Sequence, residues 1–266
     1  MVHQRIGDLM SWPDIYAPDF PIRVALGKVP GWSRVTALGH LPAVNSNTVP
    51  EDIWTLGGNY PWLSAATLVK IRSTSIDDAP GGAGCQSARV NALEDGTYLE
   101  KPVTVTLNGT SDVLLAAPIG ACNGLLGMLP GVANAFCTNV GDITLRRQDN
   151  DAVLAVIPAG KGISQQSQFT VPAGKTLVIM GLEAALTALS GLTDRVVDVD
   201  TFFQAPGQIY RLPRRIQATD RGPTNLEPRT GIVVPEKNRF QLRCTAVSSS
   251  QDTSVNGAFE AFLVTN

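Results

Sequence analysis

The sequence predicts an all-β chain: an antiparallel β-sandwich, jelly-roll-like and built as one large or two small units, preceded by an extended N-terminal arm. Three observations carry that expectation. From Ala66 onward, short runs alternate β-branched or other apolar residues with polar ones, the two-residue period of strands with one buried face. Gly, Asp, Asn and Pro bound those runs and supply the backbone angles of tight turns. Before Ala66 no period is sustained, yet Trp12, Trp32, Trp54 and Trp62 all lie there. The expected division is an arm over residues 1–63 and a sandwich over 64–266, two lobes separating near 118–138 if there are two.

In the arm, Pro13, Pro18, Pro21 and Pro30 leave no room for a full helix. Ile22, Val24 and Leu26 alternate with Arg23 and Ala25, which predicts a short strand. From Gly31 to Ala65, Gly39, Pro42, Pro50, Gly57, Gly58 and Pro61 interrupt any regular element. Extended chain of this kind must lie against another surface to bury Trp32, Trp54, Tyr60 and Trp62. That surface is either its own sandwich, which suits Trp62 best, or a neighbouring chain, which suits Trp12 and Trp32.

In the sandwich, Thr67–Ser73 sets Val69 and Ile71 against Lys70 and Arg72 on opposite faces. Ala88–Glu94 and Tyr98–Leu107 flank Asp95-Gly96, where Gly supplies a positive φ for a hairpin. A further strand follows at Asp112–Ala117. Pro118–Phe136 is small, apolar and Gly-rich, and reads as a buried loop or a weak helix. Strands resume at Ile143–Arg147 and Ala152–Ile157. Three related stretches recur at Ile157-Pro158-Ala159-Gly160-Lys161, Val171-Pro172-Ala173-Gly174-Lys175 and, less closely, Val234-Pro235-Glu236-Lys237-Asn238; in the first two Pro is expected second and Gly fourth in the turn. Thr176 to about Ala184 reads as a strand in competition with a helix reaching Leu192. Val196–Gln204 and Gln208–Ile216 read as strands, Gln217–Arg229 as a polar loop, and Arg239–Ala246 and Gly257–Val264 as closing strands that order the C-terminus.

At 266 residues with 44% hydrophobic and 17% charged residues the chain can bury a sizeable core, and its net charge of −2 gives no global field toward nucleic acid or anionic lipid. No apolar run is long enough to cross a bilayer, and MVHQRIGDLM is charged where a signal peptide is apolar, so synthesis in the cytosol is expected. Cys85, Cys122, Cys137 and Cys244 stand singly and are expected to act as small buried hydrophobes of a reducing compartment. His3 and His40 are too few for histidine-built chemistry or a metal-dependent cupin.

Chemistry-bearing clusters are sparse. Asp142, Asp149 and Asp151 lack the other ligands of a calcium loop, and Asp194, Asp198 and Asp200 read as a charged outer face. Arg211, Arg214, Arg215 and Arg221 form a basic cluster, joined by Arg146 and Arg147 if the fold brings them together; without interleaved aromatics it suits a salt-bridged surface or protein interface. Gly81-Gly82-Ala83-Gly84 lacks the Lys and helix of a phosphate cradle, and Asn108-Gly109-Thr110 reads as a turn. The residue pattern therefore predicts no catalytic residue, metal or cofactor. Its candidate interface residues are Trp12, Trp32, Trp54, Tyr60, Trp62, Arg211, Arg214 and Arg215.

Six stretches together resemble virion structural proteins of tailed bacteriophages: Gly27–His40, Glu51–Ala66, Leu93–Thr110, Asn139–Arg146, Phe169–Ile179 and Val234–Val264, about half the chain. The resemblance implies a non-enzymatic, β-rich, multi-copy part of the head or tail. With the ring-rich arm, it leads to the expectation of a capsid decoration or cement protein, made in the host cytoplasm and resident in the virion. Its expected partners are the major capsid protein and copies of itself, a trimer among the possibilities, with no membrane and no direct nucleic acid contact. A tail, fibre-attachment or baseplate component is the alternative, and a carbohydrate-binding host-recognition module is an alternative of another class.

Overall fold

The computed structural model describes residues 18–128, 137–188, 194–205, 211–228 and 231–266. The chain opens with helix α1 (Phe20–Ala25), β1 (Trp32–Val44) and β2 (Glu51–Asp52). Next come β3 (Val69–Ser73), β4 (Ser87–Glu94), β5 (Val103–Thr106), β6 (Val113–Leu114), β7 (Ile119–Met128), β8 (Ile143–Arg147) and β9 (Val153–Ile157). It closes with β10 (Phe169–Thr170), β11 (Lys175–Ala188), β12 (Val196–Gln204), β13 (Arg211–Thr219), β14 (Thr224–Leu226), β15 (Ile232–Val234), β16 (Arg239–Val247) and β17 (Thr253–Thr265).

Two pairs of antiparallel sheets, each with its own apolar cluster, give the all-β sandwich architecture. Early in the chain, a sheet ordered β6-β3-β8-β9 and a sheet ordered β5-β4-β7 share a cluster that includes Val69, Val90, Leu125, Ile143 and Leu145. Late in the chain, β1-β17-β11-β14, with β15 also on β11, and β10-β16-β12-β13, with β2 also on β16, share a second cluster. Phe240 meets Phe259 edge-on in that cluster, ring centroids 5.0 Å apart.

Within the stretch expected as an arm, residues 1–17 lie outside the described residues, and Trp32–Val44 is extended against its own chain. β1 pairs with β17 from Trp32↔Val264 to Val44↔Thr253, with an irregularity after Leu41. Its period was hidden because both faces are partly covered: Val35 and Ala37 pack on the late cluster, while Trp32 on the other face joins Phe20, Val24, Val29 and Phe262 beneath α1. Gly39 is required for close approach, since a Cβ there would stand 2.3 Å from the Ile53 carbonyl oxygen.

Several expectations are corrected. Ile22–Leu26 is not a strand: Pro21 occupies the first turn of α1, where its missing N–H costs nothing, and Val24 turns inward with Phe20 while Ile22 and Leu26 stay exposed. The Gly-rich stretch from Pro118 contains β7, paired along β4 and buried on both faces, which erased the alternation; residues 129–136 lie outside the described residues. The strand read from Thr176 is β11, which runs past the expected end near Ala184 to Ala188, paired with β17 along its length and with β15 and β14 over parts of its other edge; residues 189–192 of the competing helix lie outside the described residues. Part of the expected polar loop after Gln217 is β14.

The three Pro-containing turns share one geometry, displaced by a residue from expectation. Lys161, Lys175 and Asn238 donate their N–H groups to the carbonyls of Pro158, Pro172 and Pro235, so Pro is first and the third residue takes positive φ: Gly160, Gly174 and Lys237. The looser sequence echo is therefore the same turn with lysine in the left-handed position.

The cysteine expectation is overturned for two of four residues. Cys85 and Cys137 form a disulfide, their Cα atoms 5.4 Å apart, which spacing in sequence could not reveal. Cys122 and Cys244 are buried free thiols, each pushed up to about 12 by burial.

Candidate interaction site

The residues from Glu51 to Leu63 form a strap that joins the two apolar clusters. Trp54, Tyr60 and Trp62 stack edge-on in series, centroids 5.1 Å and 4.8 Å apart. Each polar handle finds a partner: Trp54 Nε1 donates to Gly57 O at 2.6 Å, Tyr60 Oη to Leu154 O on β9 at 2.8 Å, and Trp62 Nε1 to Gln241 Oε1 on β16 at 3.0 Å. One ring thus bonds the early sheets and its neighbour bonds the late ones. Arg239 lies over the Trp62 ring at 5.2 Å and donates to the Leu63 carbonyl, closing the strap from the β16 side.

Asp52 anchors this strap from within. It is 3% exposed; its Oδ2 accepts from Tyr60 N–H at 2.6 Å and its Oδ1 from Gln241 Nε2 at 3.0 Å, with Arg243 Nε 3.5 Å away. Burial pushes its carboxyl up to about 6, the Tyr60 N–H and Arg243 pulling the other way. Burial likewise holds the Tyr60 phenol well above its ordinary range.

The sequence-picked residues divide. Trp54 and Tyr60 are buried in their own chain, and Trp62 is half-buried beside them. Trp32 is half-buried against Phe20 and Phe262, 5.1 Å and 5.9 Å between centroids, and Trp12 lies outside the described residues. Arg211 pairs through its backbone with Phe203. Arg214 is exposed, its backbone N–H bonded to Thr201 Oγ1. Arg215 is held by Asp200 at 2.7 Å and 2.8 Å and by Asp198 at 3.3 Å, and the Asp200 carboxylate keeps its guanidinium firmly protonated. Arg146 and Arg147 belong to β8, in a different sheet from β13. Asp149 pairs with Arg147 and Asp151 with Lys70, each at 2.6 Å.

Sequence reasoning missed two polar centres. Asp78, fully buried, accepts from Ser73 Oγ and from the N–H groups of Cys85, Val140 and Gly141, fixing the glycine-rich loop beside the disulfide. Gly84 there leaves room for it: a Cβ would stand 2.1 Å from Asp78 Oδ1. The signal was the loop's density of small residues around an acid. The second is a cleft of about 590 Å³ between β1, the β5-β4-β7 sheet and the segment from Ile163 to Phe169. Arg89, Gln166 and Gln168 line it, and no local spacing relates them.

No family model matches the chain, and no curated protein matches it. Among solved structures the chain is similar to infectious bursal disease virus, Gt strain (12% identity, 92% of this chain and 78% of that one, TM-score 0.25). It is similar also to the Gx strain (14%, 88% and 72%, TM-score 0.25) and to the VP2 subviral particle of the same virus (11%, 94% and 78%, TM-score 0.24). Among the described residues, no helix is long and apolar enough to cross a membrane.

Proposed function

We propose that the chain is a non-enzymatic virion structural protein, specifically a capsid decoration or cement protein that binds a shell of major capsid protein and associates with copies of itself. The observation that supports this reading is where the phage-like stretches fall. Gly27–His40 enters β1, Glu51–Ala66 is the aromatic strap, Phe169–Ile179 begins the central strand β11, and Val234–Val264 supplies β16 and β17. Leu93–Thr110 spans the end of β4 and β5, and Asn139–Arg146 enters β8, so the resemblance is spread over both sheet pairs and the strap between them, the parts that give a particle component its rigid frame.

Copy number tests the assignment. Purified particles should carry the protein in numbers on the order of hundreds, located on the outer shell by electron cryomicroscopy. A dozen copies or fewer would move it to the tail, and its absence from purified particles would overturn the virion reading.

A further inference from the structure

The cleft beside β1 has one wall made of unpaired backbone. Thr265 N–H donates to the Gly31 carbonyl at 2.8 Å, and the register then runs Trp32↔Val264, Ser33↔Leu263. Because antiparallel residues alternate, Ser33, Val35 and Ala37 face β17, while Arg34, Thr36 and Leu38 direct N–H and C=O away from it. β1 ends its sheet, so among the described residues those groups have no backbone partner. All three residues line the cleft.

The other walls are mixed, and three of their polar side chains carry atoms without a hydrogen-bonding partner among the described residues. Arg89 projects from the outer face of β4, opposite to the buried Ala88 and Val90. Its Nε is buried without a hydrogen-bonding partner, as is Gln168 Oε1. The Gln166 side-chain amide lies near the Tyr60 hydroxyl without reaching hydrogen-bond geometry. Gln166 and Gln168 are 5% and 2% exposed; Gln168 Nε2 donates to the Ile53 carbonyl, so Gln168 Oε1 and the Gln166 amide are the atoms that lose hydration without a partner among the described residues. Of the charged lining residues, Arg34 pairs with Glu260 and Glu100 with Lys175, which leaves Arg89 without an ion-pair partner among the described residues. Leu38 and Ile163 stand half exposed at the cleft.

We propose that this cleft receives an extended polypeptide strand bearing a carboxylate side chain: its backbone adds to β1 at Arg34, Thr36 and Leu38, and its carboxylate meets Arg89. A strand satisfies the free edge, a carboxylate is the natural partner of a donor-only guanidinium, and Leu38 and Ile163 seat apolar side chains. A saccharide would leave the edge unused, and Phe169, the ring in the lining, is buried. The proposal does not depend on the virion reading.

The test is calorimetric titration of the full chain with a blocked heptapeptide of alternating threonine and valine with a central aspartate. Saturable binding is expected, weakened about tenfold when asparagine replaces the aspartate, as loss of a charge-assisted bond entails. Arg89→Gln should weaken the aspartate peptide to the level of the asparagine peptide and leave the latter unchanged. Thr36→Pro removes an outward N–H, spares pairing with β17, and should weaken both peptides. Hydrogen exchange should slow at Thr36 and Leu38 on binding. No binding at millimolar peptide, equal affinity for the two peptides in the parent, or binding of a uronate oligosaccharide without the peptide would overturn it.

Discussion

Replacing Asp52 with asparagine should flatten the stability of this protein between pH 4 and pH 6. The carboxyl is 3% exposed and burial raises it from 3.8 to about 6 in the folded chain. Below the unfolded value the group is protonated in both states. As pH rises toward 6 the unfolded chain releases the proton first, so stability falls, and it levels off once the folded carboxyl has ionised. A tenfold change in proton affinity is worth about 1.4 kcal/mol, which puts the decline at about 3 kcal/mol. Asparagine cannot ionise and accepts from only one of the two donors, Tyr60 N–H and Gln241 Nε2, at a cost of about 1 kcal/mol. The variant should therefore be weaker than the parent at pH 4 and regain ground by pH 7. Urea unfolding followed by tryptophan fluorescence at half-unit pH steps reads the difference. A stability gap between parent and variant that stays constant across this range, or widens with pH, refutes the reasoning.

Asp78→Ala leaves the N–H groups of Cys85, Val140 and Gly141 without their acceptor and should lower stability by about 3 kcal/mol or more in chemical denaturation; a loss under 1 kcal/mol would show the loop re-forms its bonds elsewhere. Reduction, or Cys85→Ser with Cys137→Ser, should cost about 2–4 kcal/mol, and thiol titration of the denatured chain should find two reactive thiols before reduction and four after. Four before reduction would contradict the bridge. Deleting residues 1–62 removes β1 and β2 and bares the edge of β17, so the product should aggregate on expression, whereas a soluble, cooperatively unfolding product would mean that β1 is dispensable.

What the sequence disclosed follows from which residues have one wet face. β3 alternates cleanly, with Lys70 and Arg72 outward, and is legible in the sequence, as is β12 over Val196–Gln204. β7 and β1 were not legible, for opposite reasons: β7 is buried on both sides, and β1 has each face partly covered by different neighbours. The helix at Phe20 was misread because Ile22, Val24 and Leu26 fit a two-residue period as well as a single helical turn does, and only the packing of Phe20 with Val24 distinguishes them. The disulfide and the cleft could not be read at all. Cys85 and Cys137 are 52 residues apart, and Arg89 and Gln168, distant in sequence, come to one cleft only through the fold.

The aromatic stretch shows why a residue list is not a site. Trp54, Tyr60 and Trp62 were conspicuous because they are large and lie in chain without a period, which marks rings that need burial without saying where. Their hydrogen bonds answer that: Tyr60 reaches β9 and Trp62 reaches β16, so the rings brace the two sheet pairs. Bracing accounts for the burial of Trp54 and Tyr60 within the chain and directs attention to groups whose valences stay open. Among the described residues, the edge amides of Arg34, Thr36 and Leu38, the Nε of Arg89, the Gln166 amide and the amide oxygen of Gln168 share one cleft, whereas Thr170 Oγ1 and Arg243 Nε lie apart from it. Buried polar atoms are nearly always paired, so several unpaired ones around one cavity point to a missing partner more directly than any count of exposed rings.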